Sequence, residues 1–232
     1  MIYTVGLAVV MVLFRIVFRY RVEGKEYLRA YRKNGRRFII CPNHRSNFDT
    51  FFVLMAYGFG KKMTIMAKKE LFSNPLFTWF FTQIGAFPVD RGNADMTAIN
   101  NAIEEVKGGR GMLLFPEGAR GPSDEMGKVK TGAFLIAAQS GADIIPMRII
   151  YPNKDRKVHL FGKVVIKIGQ PMKSEDMNLT EGGKHALRQA KIAYRREMDR
   201  IMDEYNASVG YVPPQKIEQE KPVIKEAENE NN

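Results

Sequence analysis

The chain has 232 residues, 45% hydrophobic and 26% charged, enough length and apolar content for one domain with a buried core, which excludes wholesale disorder. Its formal net charge of +11 calls for an anionic partner, either nucleic acid or a membrane surface. A lone cysteine, Cys41, excludes an intrachain disulfide and a cysteine-based zinc site, and with three histidines a histidine-rich centre is not expected, so no metal is assigned.

Ile2 to Phe18 is apolar apart from Arg15. As a helix it spans roughly 25 Å, short of the ~30 Å hydrocarbon core. No basic segment precedes it and no small-residue cleavage site follows, so it reads as a retained anchor rather than a signal peptide. It either lies in one leaflet or crosses with local thinning. Arg15 to Arg37 carries nine cations against Glu23 and Glu26, a net +7 of the total. Each such residue adds about 1 kcal/mol of attraction to an anionic surface. The apolar segment beside the cationic run selects a membrane over nucleic acid. Residues 1–35 are expected to form a membrane-associating helical segment on the cytoplasmic face of the cell membrane.

From Arg36 onward short apolar runs alternate with helical patterns. Phe38–Cys41, Met63–Ala67, Ile84–Val89, Gly111–Phe115, Asp143–Ile150 and Val164–Ile168 read as strands. Met96, Ile99, Ile103 and Val106 recur at helical spacing, with Asp95 placed to cap them. Lys130–Ser140 and Gly183–Tyr205 read as further helices. The alternation predicts a single α/β domain over 36–206 with a mostly buried mixed sheet flanked by helices. The Glu-, Lys- and Asn-rich tail, 207–232, is expected to be disordered.

Three strand ends carry chemistry. Asn43-His44-Arg45-Ser46-Asn47-Phe48-Asp49 follows the first strand. A carboxylate five positions after the histidine, at a helix start, can accept a hydrogen bond from one ring nitrogen and leave the other as a general base. Ser46 shares the same short turn and makes a poor nucleophile, so a substrate hydroxyl fits that role better. Phe115-Pro116-Glu117-Gly118-Ala119-Arg120-Gly121 offers Arg120 for a phosphate, Gly118 for a tight loop over a ligand, and Glu117 to orient the arginine or bind a hydroxyl. Val89-Asp90-Arg91 offers Arg91 as a second phosphate ligand. Cys41 sits in an apolar strand and reads as inert; His159 and His185 are assigned nothing.

These motifs resemble, in order, the conserved blocks of the glycerolipid acyltransferase family: His44-x4-Asp49, Val89-Asp90-Arg91, Phe115 to Arg120, Lys130-x-Gly132-Ala133, and Ile145-Pro146. Ala119 stands where the family usually has Thr. The resemblance implies 1-acyl-sn-glycerol-3-phosphate acylation. His44 and Asp49 would be catalytic, Arg91 and Arg120 would hold the phosphate of lysophosphatidic acid, and Glu117 and Gly118 would contact substrate. Acyl-CoA or acyl-carrier protein would serve as co-substrate, and no cofactor is expected. Glycerol-3-phosphate or another lysophospholipid is an alternative acceptor. A non-catalytic basic membrane-binding module is the alternative of another class.

Overall fold

The computed structural model describes residues 12–58, 63–89, 96–179 and 181–213. The elements run β1 (Arg19–Glu23), α1 (Lys25–Asn34), β2 (Phe38–Pro42), α2 (Asp49–Tyr57), β3 (Thr64–Lys68), a 3-10 turn at Lys69–Phe72, α3 (Pro75–Gln83), β4 (Ala86–Val89), α4 (Met96–Lys107), β5 (Met112–Leu113), α5 (Gly132–Ser140), β6 (Asp143–Ile150), β7 (Lys163–Ile168) and α6 (Gly183–Ser208). The strands form one seven-stranded sheet in the order β1-β7-β6-β2-β5-β3-β4. Pairing is parallel throughout except between β6 and β7, which makes the sheet mixed.

Alternation along β2 shows why the sheet is buried on both faces. Phe38 and Ile40 enter one apolar cluster with Phe52, Leu113 and Met147, while Ile39 and Cys41 enter the other with Met112, Phe134 and Tyr194. All eight residues of β6 are buried. Cys41 is fully buried, and the loss of solvent pushes its thiol far above the ordinary range, which keeps it protonated and inert.

The first 35 residues do not form one helical segment apart from the sheet. Residues 12–17 are helical, but Arg19–Glu23 is an edge strand in register with Lys163–Lys167 of β7. The reason is a period-two pattern inside the cationic run: Tyr20 and Val22 pack on the core while Arg19 and Arg21 point outward. Among the described residues no helix is long and apolar enough to cross a membrane. The expected anchor's first eleven residues, the capping Asp95 and residues 214–232 of the expected tail lie outside the described residues, while Ala207 and Ser208, placed in that tail, instead continue α6.

Candidate active site

The five mutually parallel strands, β6, β2, β5, β3 and β4, point their carboxyl ends to one edge, where open α/β sheets gather reactive loops. His44 leaves β2 there, Glu117 and Arg120 follow β5, and Tyr151 ends β6. Asn43 fixes the exit from β2. Its side-chain amide donates to Ile149 O at 3.0 Å and accepts from Ile149 N at 2.7 Å, extending the ladder toward β6 by side-chain bonds.

His44 Nδ1 lies 2.8 Å from Asp49 Oδ2. The same oxygen accepts from the backbone N–H groups of Arg45 at 2.6 Å and Ser46 at 2.7 Å, and Oδ1 accepts from the Tyr151 hydroxyl. Asp49 is completely buried. Because donors alone surround this carboxylate, Nδ1 carries a proton, and in the neutral ring the lone pair is then on Nε2. The imidazole is 13% exposed and stacks on Phe115, with ring centroids 4.0 Å apart. Burial first, and the neighbouring Asp49 charge second, push the Tyr151 hydroxyl far above its ordinary pKa, so it stays a donor.

The loop after β5 grips the His44 backbone on both sides. His44 N donates to Glu117 Oε1 at 2.9 Å, and Gly121 N donates to His44 O at 2.9 Å. Glu117 Oε2 accepts from Gly127 N at 2.9 Å, in a space where a Cβ on Gly127 would stand 2.8 Å from that oxygen. Glu117 therefore does not orient Arg120. Its two oxygens meet backbone amides on the histidine loop and on its own loop, not Arg120, and it is only 9% exposed.

Gly118 takes φ 72°, a left-handed conformation that closes the turn, and a Cβ there would come within 2.7 Å of Lys130 Nζ. Arg120 is exposed and donates to Asn47 Oδ1 at 2.8 Å, which brings it against the histidine loop. Arg91 lies outside the described residues.

Beside this centre Arg45 pairs with Asp124, Arg148 donates to Asp124 O, and Arg156 Nε stands 3.5 Å from Asp124 Oδ2. This cluster ties the 122–129 loop to the histidine turn and to β6. Burial lowers the guanidinium pKa values of Arg45 and Arg148. Sequence reasoning placed Asn43 and Phe115 in the motifs without giving them a role, and it missed Asp124 and Tyr151. Tyr151 carried one usable signal, a polar aromatic directly after a strand that is buried along its whole length. Among the described residues no group of three or more His, Cys, Asp or Glu side chains is placed to hold a metal ion.

A histidine–carboxylate pair at the carboxyl edge of a parallel sheet suits proton abstraction from an alcohol, and comparison with known proteins puts a family to it. The sequence profile of the Acyltransferase family matches residues 19–150. The chain belongs to the Acyltransferase family.

That match begins at β1 and closes with β6, so it contains the histidine turn, the Glu117 loop and the strand leading into Tyr151. Within the family, the chain is 36% identical over 159 residues to the 1-acyl-sn-glycerol-3-phosphate acyltransferase of Bacillus subtilis, covering 67% of this chain and 75% of that protein. It is 33% identical over 141 residues to the protein of the same name from Streptococcus pneumoniae, covering 60% of this chain and 52% of the relative. The chain thus spans about half the length of the pneumococcal protein and 44% of a chloroplastic relative from Arabidopsis thaliana. The crystal structure of the 1-acyl-sn-glycerophosphate (LPA) acyltransferase PlsC from Thermotoga maritima shares the fold, with a TM-score of 0.58 and 26% identity over 79% of this chain and 72% of that one.

Proposed function

We propose that this protein transfers a fatty acyl group from a thioester donor, acyl-CoA or acyl-carrier protein, to the sn-2 hydroxyl of lysophosphatidic acid, giving phosphatidic acid. The observation that carries the reading is the His44–Asp49 pair, 2.8 Å apart, with the imidazole reachable from solvent and the carboxylate fully buried behind it. Nε2 takes the hydroxyl proton as the alkoxide oxygen attacks the thioester carbonyl. Collapse of the tetrahedral intermediate breaks the C–S bond, and the imidazolium returns its proton to the leaving thiolate. Asp49 stabilises the imidazolium between these events. No enzyme-bound acyl group forms, and no cofactor enters the sequence.

Arg120 holds the acceptor phosphate, with Arg91 as a second ligand. The apolar residues from 12 to 18 and the cations after them keep the protein on the cytoplasmic membrane surface, where the acceptor resides. The names carried by the Bacillus and pneumococcal relatives support the acceptor.

The test is acyl transfer by purified protein to labelled lysophosphatidic acid with each donor, beside His44→Ala. A general base contributes ~10²–10⁴ in rate, so the variant should lose that much while keeping the wild-type circular dichroism. Near-wild-type turnover by His44→Ala would rule out the mechanism.

A further inference from the structure

Helix α3, Pro-Leu-Phe-Thr-Trp-Phe-Phe-Thr-Gln, contains five large apolar side chains and buries none of them fully. Leu76, Phe77 and Trp79 are 68%, 55% and 53% exposed. The helix is nonetheless well made: Pro75 opens it and the Asn74 side chain caps it, accepting from Leu76 N at 2.9 Å. A capped helix that shows its largest apolar residues to solvent is built for an apolar partner.

The surroundings identify that partner. The rings of Phe14, Phe51 and Phe80 form a chain, with centroids 5.0 and 6.1 Å apart, that joins α3 through α2 to the helical residues 12–17. Val12, Leu13 and Ile16 on that second helix are also more than half exposed. Phe48, 38% exposed, packs its ring against Phe14 with centroids 5.9 Å apart and directly precedes Asp49. The apolar surface therefore borders the mouth of the site.

Cations border it in sequence. Arg15 and Arg19 belong to and follow the first helix, and Lys68, paired with Glu70 at 2.9 Å, and Lys69 precede the second, while residues 71–89 contain no charged side chain. An apolar surface whose 71–89 segment carries no acid, which is bordered in sequence by cations and holds an exposed tryptophan, has the chemistry of a bilayer interface.

We propose that α3 is a second membrane-contacting element, inserting Leu76, Phe77 and Trp79 into an anionic bilayer and setting the site mouth against the lipid. The proposal deepens the acyltransferase reading by naming how the site meets its membrane, but its test needs no turnover.

Trp79 is the chain's one tryptophan, so its fluorescence reports this helix alone. The full-length protein is mixed with phosphatidylglycerol–phosphatidylcholine vesicles that contain neither acceptor nor donor. Trp79 emission should shift to the blue, and lipids brominated in the upper acyl chain should quench it. Leu76→Ser with Phe77→Ser should lower the vesicle partition coefficient by about a hundredfold or more, since each side chain contributes on the order of 1.5–3 kcal/mol when buried.

Both side chains are exposed in the free protein, so the variant should keep the wild-type unfolding midpoint; should it fail to fold, quenching in the unmodified protein still decides. Unquenched Trp79 in vesicle-bound protein overturns the proposal. So does a lipid-free dimer that the double substitution dissociates, because α3 would then cover a second copy of the chain. Quenching by a protein inactive in acyl transfer would support the docking surface while removing the catalytic reading, so the two fail separately.

Discussion

Tyr151→Phe removes one oxygen and leaves the ring that packs against Phe52, whose centroid lies 6.2 Å away. The lost hydroxyl is the donor to Asp49 Oδ1, and Asp49 has no solvent to replace it. A hydrogen bond to a charged group contributes about 1.5–3 kcal/mol, so roughly a tenfold to hundredfold effect is at stake. Part of it should fall on stability, because one carboxylate oxygen is left buried without that donor. The rest should fall on kcat, because the carboxylate that orients His44 and supports its imidazolium is held by fewer bonds. Substrate contacts are untouched, so KM for the acceptor should stay within about twofold. Continuous detection of the released thiol measures both constants, and thermal unfolding measures the stability loss. If Tyr151→Phe matches the wild type in kcat and in unfolding midpoint, the hydroxyl does not hold Asp49, and the account of the buried carboxylate is wrong.

Glu117→Gln replaces one of two accepting oxygens by an amide that faces a backbone N–H, so it should cost about 1–3 kcal/mol and lower kcat by loosening His44; unchanged unfolding and kinetics would show the grip on Gly127 and His44 to be idle. Arg120→Ala should raise KM for lysophosphatidic acid roughly tenfold or more with a smaller effect on kcat, and Arg120→Lys should recover part of it; an effect confined to kcat would place the guanidinium elsewhere than on the phosphate. Stability should fall steeply at alkaline pH. Burial raises the pKa values of Tyr31, Tyr151 and Tyr194, so above about pH 10 the unfolded chain releases phenolic protons that the folded chain retains, and unfolding is favoured as pH rises. Denaturant titrations from neutral pH upward should show this loss, and Tyr151→Phe should reduce it; a flat profile would contradict the burial of these hydroxyls.

Much of the sheet was legible because its strands are short apolar runs between breakers. Asp143–Ile150 is read and found with the same limits, since a strand buried on both faces is a near-continuous apolar run, in which Arg148 is the one interior charge, set off by Gly141 at one end and Pro152 at the other. β1 was illegible for the opposite reason. Arg19, Arg21 and Glu23 make it read as part of a cationic run, and only its edge position, with Tyr20 and Val22 alone turned toward the core, shows the two-residue period. In the site, His44 and Asp49 were legible because five residues spanning a strand end and a helix start bring the two side chains together. The partners of Glu117 were illegible because they are backbone amides, one of them 73 residues away, and backbone amides leave no mark in a sequence. Tyr151 reaches Asp49 across 102 residues, a contact that only the pairing of β6 beside β2 creates.

The short join between residues 12–17 and β1 has a mechanical consequence. Only Phe18 separates them, and the junction is stitched to the 161–162 turn by Phe161 N donating to Val17 O at 2.8 Å and Arg19 N donating to Gly162 O at 3.1 Å. A tug on that short helix is thus delivered to the sheet edge without slack, and the whole body tilts with it instead of swivelling on a tether. Under the proposed membrane attachment, working height above a lipid layer is a built-in dimension of the molecule, and a few glycines spliced after Phe18 would be enough to unfix it.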